Sequence, residues 1–144
     1  MLTVPIVEER RPWHLWVVGV AVLLWNSSGA LTIMLAQARW LYDLEPGEAA
    51  YYAAQPTWFV VMTDLNLMAA IAASLALLFR LRAAVWLFAL SFAAIAITNG
   101  YELAAGTSRM LVTRAALVVT VVIALIAMCE LAYARAMQRR AVLR

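Results

Sequence analysis

TWFVVMTDLNLMAAIAASLALLF (57–79), RLR (80–82) and AAVWLFALSFAAIAITNGYELAA (83–105) run on without a break. Each apolar run exceeds the ~20 residues a helix needs to cross a ~30 Å hydrocarbon core. The joint Arg80-Leu81-Arg82 is so short that the two helices must form a tight antiparallel hairpin. Similar runs flank this hairpin, at about 13–37 and 110–134. The reading is an all-α integral membrane four-helix bundle, one transmembrane domain over 1–144, with one sizeable loop at 38–56.

Composition agrees. Of 144 residues, 67% are hydrophobic, and the mean hydropathy is +0.87. Soluble domains are about 45–50% apolar, and a small soluble domain keeps much of its surface wet. Lipid is the natural solvent for this surplus. The first run is too long for a signal-peptide apolar region and is interrupted by Asn26-Ser27-Ser28, so it reads as a retained helix despite Ala36-Gln37-Ala38.

The net charge is +3, carried by arginine with no lysine. Arg10, Arg11, Arg80, Arg82, Arg135, Arg139, Arg140 and Arg144 fall at one end of the bundle. Arg39, Arg109 and Arg114 fall at the other. The positive-inside rule then places both termini in the cytoplasm and argues against dual topology. Arginines at helix ends are topology signals rather than a nucleic-acid surface. Trp13, Trp16, Trp86 and Tyr133 mark one interface, and Trp40, Tyr42, Tyr51, Tyr52, Trp58 and Tyr101 the other. Pro46 starts a short helix through Tyr52 that lies in the outer interface, and Gly106 caps the third long helix.

Ionisable residues within a span are costly and default to functional hypotheses. Asp64, Glu102 and Arg114, with neutral Asn26 and Asn99, form the ligand or ion-pair candidates. Asn99 and Glu102 share a face, continued inward by Ile95 and Ser91. Arg114 is the expected partner of Asp64, Glu102 or both. Glu130 is placed near the inner surface, beside Tyr133 and Arg135. Small-residue stripes predict helix packing through Ser28 and Gly29, through Asn66, Ala70 and Ala73, and through Thr120 and Ala124. His14 is the lone histidine and Cys129 the lone cysteine, so a metal site is not expected and no cofactor is called for. No catalytic constellation appears, and the chain is not read as an enzyme.

Leu23-Leu24-Trp25-Asn26-Ser27-Ser28-Gly29-Ala30, then Gln55-Pro56-Thr57-Trp58, resembles a family of small four-helix proteobacterial inner-membrane proteins. The resemblance covers about residues 13–92 and rests on a Trp-Asn-x-x-Gly-Ala block with a later Pro-x-Trp. The family is uncharacterised, and some members are labelled sugar transporter. The resemblance implies a bacterial inner-membrane location and assigns no functional residue. In helix 57–79 similar proteins are Gly-rich, where this chain has Asp64-Leu65-Asn66-Leu67-Met68-Ala69-Ala70.

Two functions follow. The first is a non-enzymatic accessory or scaffold whose partners are the lipid bilayer and other transmembrane helices, in a homo-oligomer or a larger membrane complex. The alternative is a dimeric small-solute or proton-coupled transporter using a polar site at Asp64 and Asn26.

Overall fold

A computed structural model describes residues 13–38, 46–105 and 114–144, with the backbone alone at 48 and 114–117. The described residues form five helices and no strand: α1 (Trp13–Gln37), α2 (Pro46–Ala54), α3 (Thr57–Leu78), α4 (Ala83–Ala105) and α5 (Arg114–Arg139). All but α2 are long and apolar enough to cross a membrane. The chain is a multi-pass, all-α membrane protein. The Gly106 cap, Arg10, Arg11, Arg39, Arg109, Trp40 and Tyr42 lie outside the described residues.

The last helix departs from expectation. It runs to Arg139 rather than 134. Hydropathy falls at Arg135, but Ala134 and Met137 are buried at 0% and 3% exposure. Arg135 and Arg139 are exposed, so the helix continues with one face under the bundle and its arginines outward. Ala, Arg, Met and Gln are strong helix formers, which keeps this last stretch helical.

The long helices form a row. α3 packs on both α1 and α4, and α4 packs on α5. Among the described residues the two outer members, α1 and α5, make few contacts along their length. Between them the described contacts are polar: His14 Nδ1 lies 2.9 Å from the Tyr133 hydroxyl, and Asn26 reaches Glu130.

Tight packing is concentrated at one end. Leu15, Leu77, Ala84, Phe88, Ala134 and Leu143 are each at most 2% exposed. Large side chains sit against alanines there, which lets the backbones approach. In lipid such van der Waals fit replaces the hydrophobic effect as the main adhesive between helices. At Gly19 a Cβ would lie 2.5 Å from Leu78 Cδ2, so a side chain there would collide with α3. Gly29, expected to be a packing glycine, has nothing within 4 Å of such a Cβ. Ser28 is exposed as well. On α1, Gly19 therefore lies against the Leu78 side chain of α3, whereas Gly29 lies against no neighbour.

This end is closed by paired helix caps. Arg80 N–H donates to Leu77 O at 3.0 Å and Leu81 N–H to Ala76 O at 2.8 Å, with Arg80 at φ 62°. Ala141 N–H donates to Gln138 O at 3.0 Å and Val142 N–H to Met137 O at 3.0 Å, with Ala141 at φ 55°. Both are Schellman caps built without glycine. The segment after α5 then folds onto the α3–α4 joint. Arg82 N–H donates to Arg144 O at 2.9 Å, Arg144 N–H to Arg80 O at 2.6 Å, and Arg80 Nε–H to Val142 O at 2.9 Å.

At the opposite end α2 opens with Pro46, whose missing N–H costs nothing in a first turn. The Tyr51 hydroxyl donates to Glu102 on α4. Nearby, Trp58 meets Tyr101 edge to face, with ring centroids 4.8 Å apart. Burial, and then the adjacent Glu102 carboxyl, push the Tyr51 hydroxyl above its ordinary pKa. The hydroxyl therefore keeps its proton and its donor role.

Candidate functional site

Asn26 sits at the middle of α1. Its Nδ2 donates to Ser74 Oγ at 3.3 Å and to Glu130 Oε1 and Oε2 at 3.3 and 3.5 Å. Ser74 is fully buried, and its own hydroxyl donates to Ala70 O at 2.7 Å. That leaves an oxygen lone pair to accept from Asn26, so each amide hydrogen of Asn26 has an acceptor. Three helices, α1, α3 and α5, meet on this one amide.

Glu130 is the chemical centre of the group. It is 7% exposed and lies nine residues before the end of α5, ~13 Å along the axis. Sequence reading placed it near the inner surface because the apolar run stops at 134. Its side chain faces into the bundle, where Asn26 meets it. Its inward direction was legible: Ala127, Glu130, Leu131 and Ala134 share one helix face, and all four are buried.

A cavity of about 300 Å³ leads away from Glu130, past Asn26, Trp25 and Gly29, to Asn66 and Ser91. There the Ser91 hydroxyl donates to Asn66 Oδ1 at 2.6 Å, tying α4 to α3. A further cavity of about 260 Å³ shares Ile33, Asn66, Ile95 and Ile123 with the first. It continues past Asn99 and Glu102 to Tyr51 and Tyr52 of α2. Together they make a crevice from the α2 end to Glu130, mainly apolar and set with polar side chains. The packed end, with Leu15, Leu77 and Phe88, closes it beyond.

The sequence candidates fall differently about this crevice. Ser91, Ile95, Asn99 and Glu102, read as one face of α4, line its wall. Asn26 is at its floor, and Ser28, Gly29, Asn66, Ala70 and Thr120 also border it. Ala73 is buried between helices, and Ala124 is half-buried. Asp64 borders neither cavity and does not join Asn26. It flanks the exposed stripe of Val61, Leu65 and Met68, and its buried Oδ1 has no hydrogen-bond partner. The Arg114 side chain, and with it the expected ion pair to Asp64 or Glu102, lies outside the described residues.

Among the described residues no three His, Cys, Asp or Glu side chains gather as a metal site would require. The arrangement offers hydrogen-bond acceptors and donors along a path, and one carboxyl at its end. That is the chemistry of binding and of proton transfer. No protein-family model, curated protein or solved structure matches the chain.

Proposed function

We propose that this membrane protein is a small-solute carrier in which Glu130, held by Asn26 and Ser74, is the protonatable group. The observation that carries the proposal is the pair of adjoining cavities, mainly apolar, with polar side chains set along them from Glu102 and Asn99 through Asn66 to Asn26 and Glu130. An ionisable residue inside a span, facing a cavity rather than a structural cation, is the usual mark of a substrate or proton path. Glu130 takes the place that sequence reading gave to Asp64. The arginine distribution supports cytoplasmic termini, so that the α2 end of the crevice faces outward.

Solute-evoked currents on solid-supported membranes carrying reconstituted protein test this. A panel of small sugars, amino acids and amines is expected to include solutes that evoke a current. Glu130→Gln is expected to abolish the current, while Asp64→Asn preserves it. Currents that survive Glu130→Gln in folded protein would remove Glu130 from the path.

The accessory reading keeps one specific support. The gap between α1 and α5 is flanked by exposed apolar residues such as Val122 and Leu125, as a groove for a foreign helix would be. A native partner that co-purifies stoichiometrically in mild detergent, with no evoked current, would favour it.

A further inference from the structure

We infer that the gap between α1 and α5 admits cationic amphiphiles sideways from the bilayer, with the cationic head on Glu130 and the alkyl tail along the gap. This deepens the carrier reading and rests on it.

Glu130 borders two spaces. One is the cavity beside Asn26, whose wall also carries Thr32, Asn66 and Ser91. The other, of about 420 Å³, lies between α1 and α5 and is walled by Val18, Val22, Val122, Leu125 and Ile126. A molecule that fills both must be polar where it meets Glu130 and apolar beyond. From Glu130 to Val122 is ~12 Å along α5, the reach of an alkyl chain of roughly eight to ten carbons.

The sign of the head follows from the carboxylate. Asn26 Nδ2 is its one hydrogen-bond donor among the described residues, and no described cationic side chain acts on it. A carboxylate offers about four acceptor positions. An ionised carboxylate this buried is strongly destabilising unless a proton or a cation joins it. An anionic or neutral head would leave that cost in place; a cationic head removes it. Trp25, in the wall beside Asn26, adds an aromatic ring of the kind that attracts ammonium groups.

The occupant is reached from lipid rather than from water because α1 and α5 are not sealed against each other there. Val18 and Val22 on α1 and Val122, Leu125 and Ile126 on α5 wall the gap with hydrocarbon, and Val122 and Leu125 are exposed. Such a surface admits an alkyl chain with no desolvation of polar groups.

The experiment uses full-length protein in phosphatidylcholine nanodiscs and radiolabelled octyltrimethylammonium, with empty nanodiscs as background. Saturable binding is expected. Unlabelled octyltrimethylammonium displaces it, whereas 2,2-dimethyldecane, its uncharged carbon isostere, and tetramethylammonium, which lacks the tail, do not. Glu130→Gln is expected to weaken binding more than about tenfold. Leu125→Trp, which fills the gap and leaves Glu130 intact, is expected to weaken it as well. Asp64→Asn is expected to bind like the wild type. Circular dichroism and gel filtration establish that each variant is folded.

Equal binding by Glu130→Gln, displacement by the uncharged isostere, or no saturable binding to folded wild type would each overturn the inference. Efficient ligand-free cross-linking of Cys129 between two copies, without amphiphile binding, would overturn it in favour of a second copy in the gap. If solute-evoked currents depend on Glu130 while no amphiphile binds, the amphiphile falls and the carrier reading stands.

Discussion

At the scale of single residues, the two left-handed caps separate a backbone effect from a side-chain one. Ala141, at φ 55°, has a conformation that costs an L-residue roughly 1–2 kcal/mol and costs glycine far less. Ala141→Gly is therefore expected to stabilise the fold by about 0.5–1 kcal/mol, read as a higher thermal midpoint in detergent, after the added freedom of the unfolded chain is offset. Arg80, at φ 62°, obeys the same backbone rule, but its Nε–H also bonds Val142 O. Arg80→Gly removes that bond, so it is expected to gain less than Ala141→Gly or to destabilise. Neither position was legible in the sequence. Arg80-Leu81-Arg82 announces a short joint, but nothing in those letters says that residues 142–144 return to it. Leu143, almost fully buried, sits beyond the last apolar run, where hydropathy alone predicts solvent.

At the scale of elements, α1 carries the clearest contrast. Gly19→Val is expected to lower stability by about 1 kcal/mol, because the half-buried Leu78 side chain must turn aside. Gly29→Ala is expected to be neutral or to stabilise by up to about 1 kcal/mol, because the new methyl meets open space on a helix that prefers alanine. Unfolding of the two variants by graded SDS checks the pair. The helix spans were legible because length and apolarity suffice to mark them; which glycine touches a neighbour was not, since that depends on the rotation of α1 about its own axis. α2 is held by the Tyr51–Glu102 hydrogen bond. The Tyr51 pKa is raised in the folded protein, so its contribution is full below the free tyrosine value of ~10 and is lost as pH climbs above it. Tyr51→Phe is expected to remove this alkaline dependence and to speed amide hydrogen exchange in α2 at neutral pH.

At the scale of the whole molecule, the bundle is packed at one end and hollow toward the other. In a Cys129→Ser background, Thr63→Cys and Asn66→Cys are expected to react with a water-soluble methanethiosulfonate reagent that enters past α2, whereas Ala76→Cys is not. Equal reactivity at all three would mean that water does not distinguish the two ends. Much of the crevice wall was legible, since Asn99 and Glu102 on one face of α4 point along it. Its floor was not. Glu130 looked interfacial because the charged residues after it end the hydropathic run, yet the helix goes on past them.

The unequal lengths of the helices carry a last consequence. The apolar span of α1 has 25 residues, ~37 Å, against 22 residues and ~33 Å for α3 and for Val118–Arg139 of α5. All must fit one bilayer, so α1 meets hydrophobic mismatch first and tilts more. Among the described residues it makes few contacts along α5. Thinning the bilayer should therefore splay these two helices while the α3–α4 hairpin stays as it is. Access to Glu130 becomes a property of membrane thickness: octyltrimethylammonium affinity is expected to differ between nanodiscs of 14-carbon and 20-carbon lipids, and Leu125→Trp to flatten the difference.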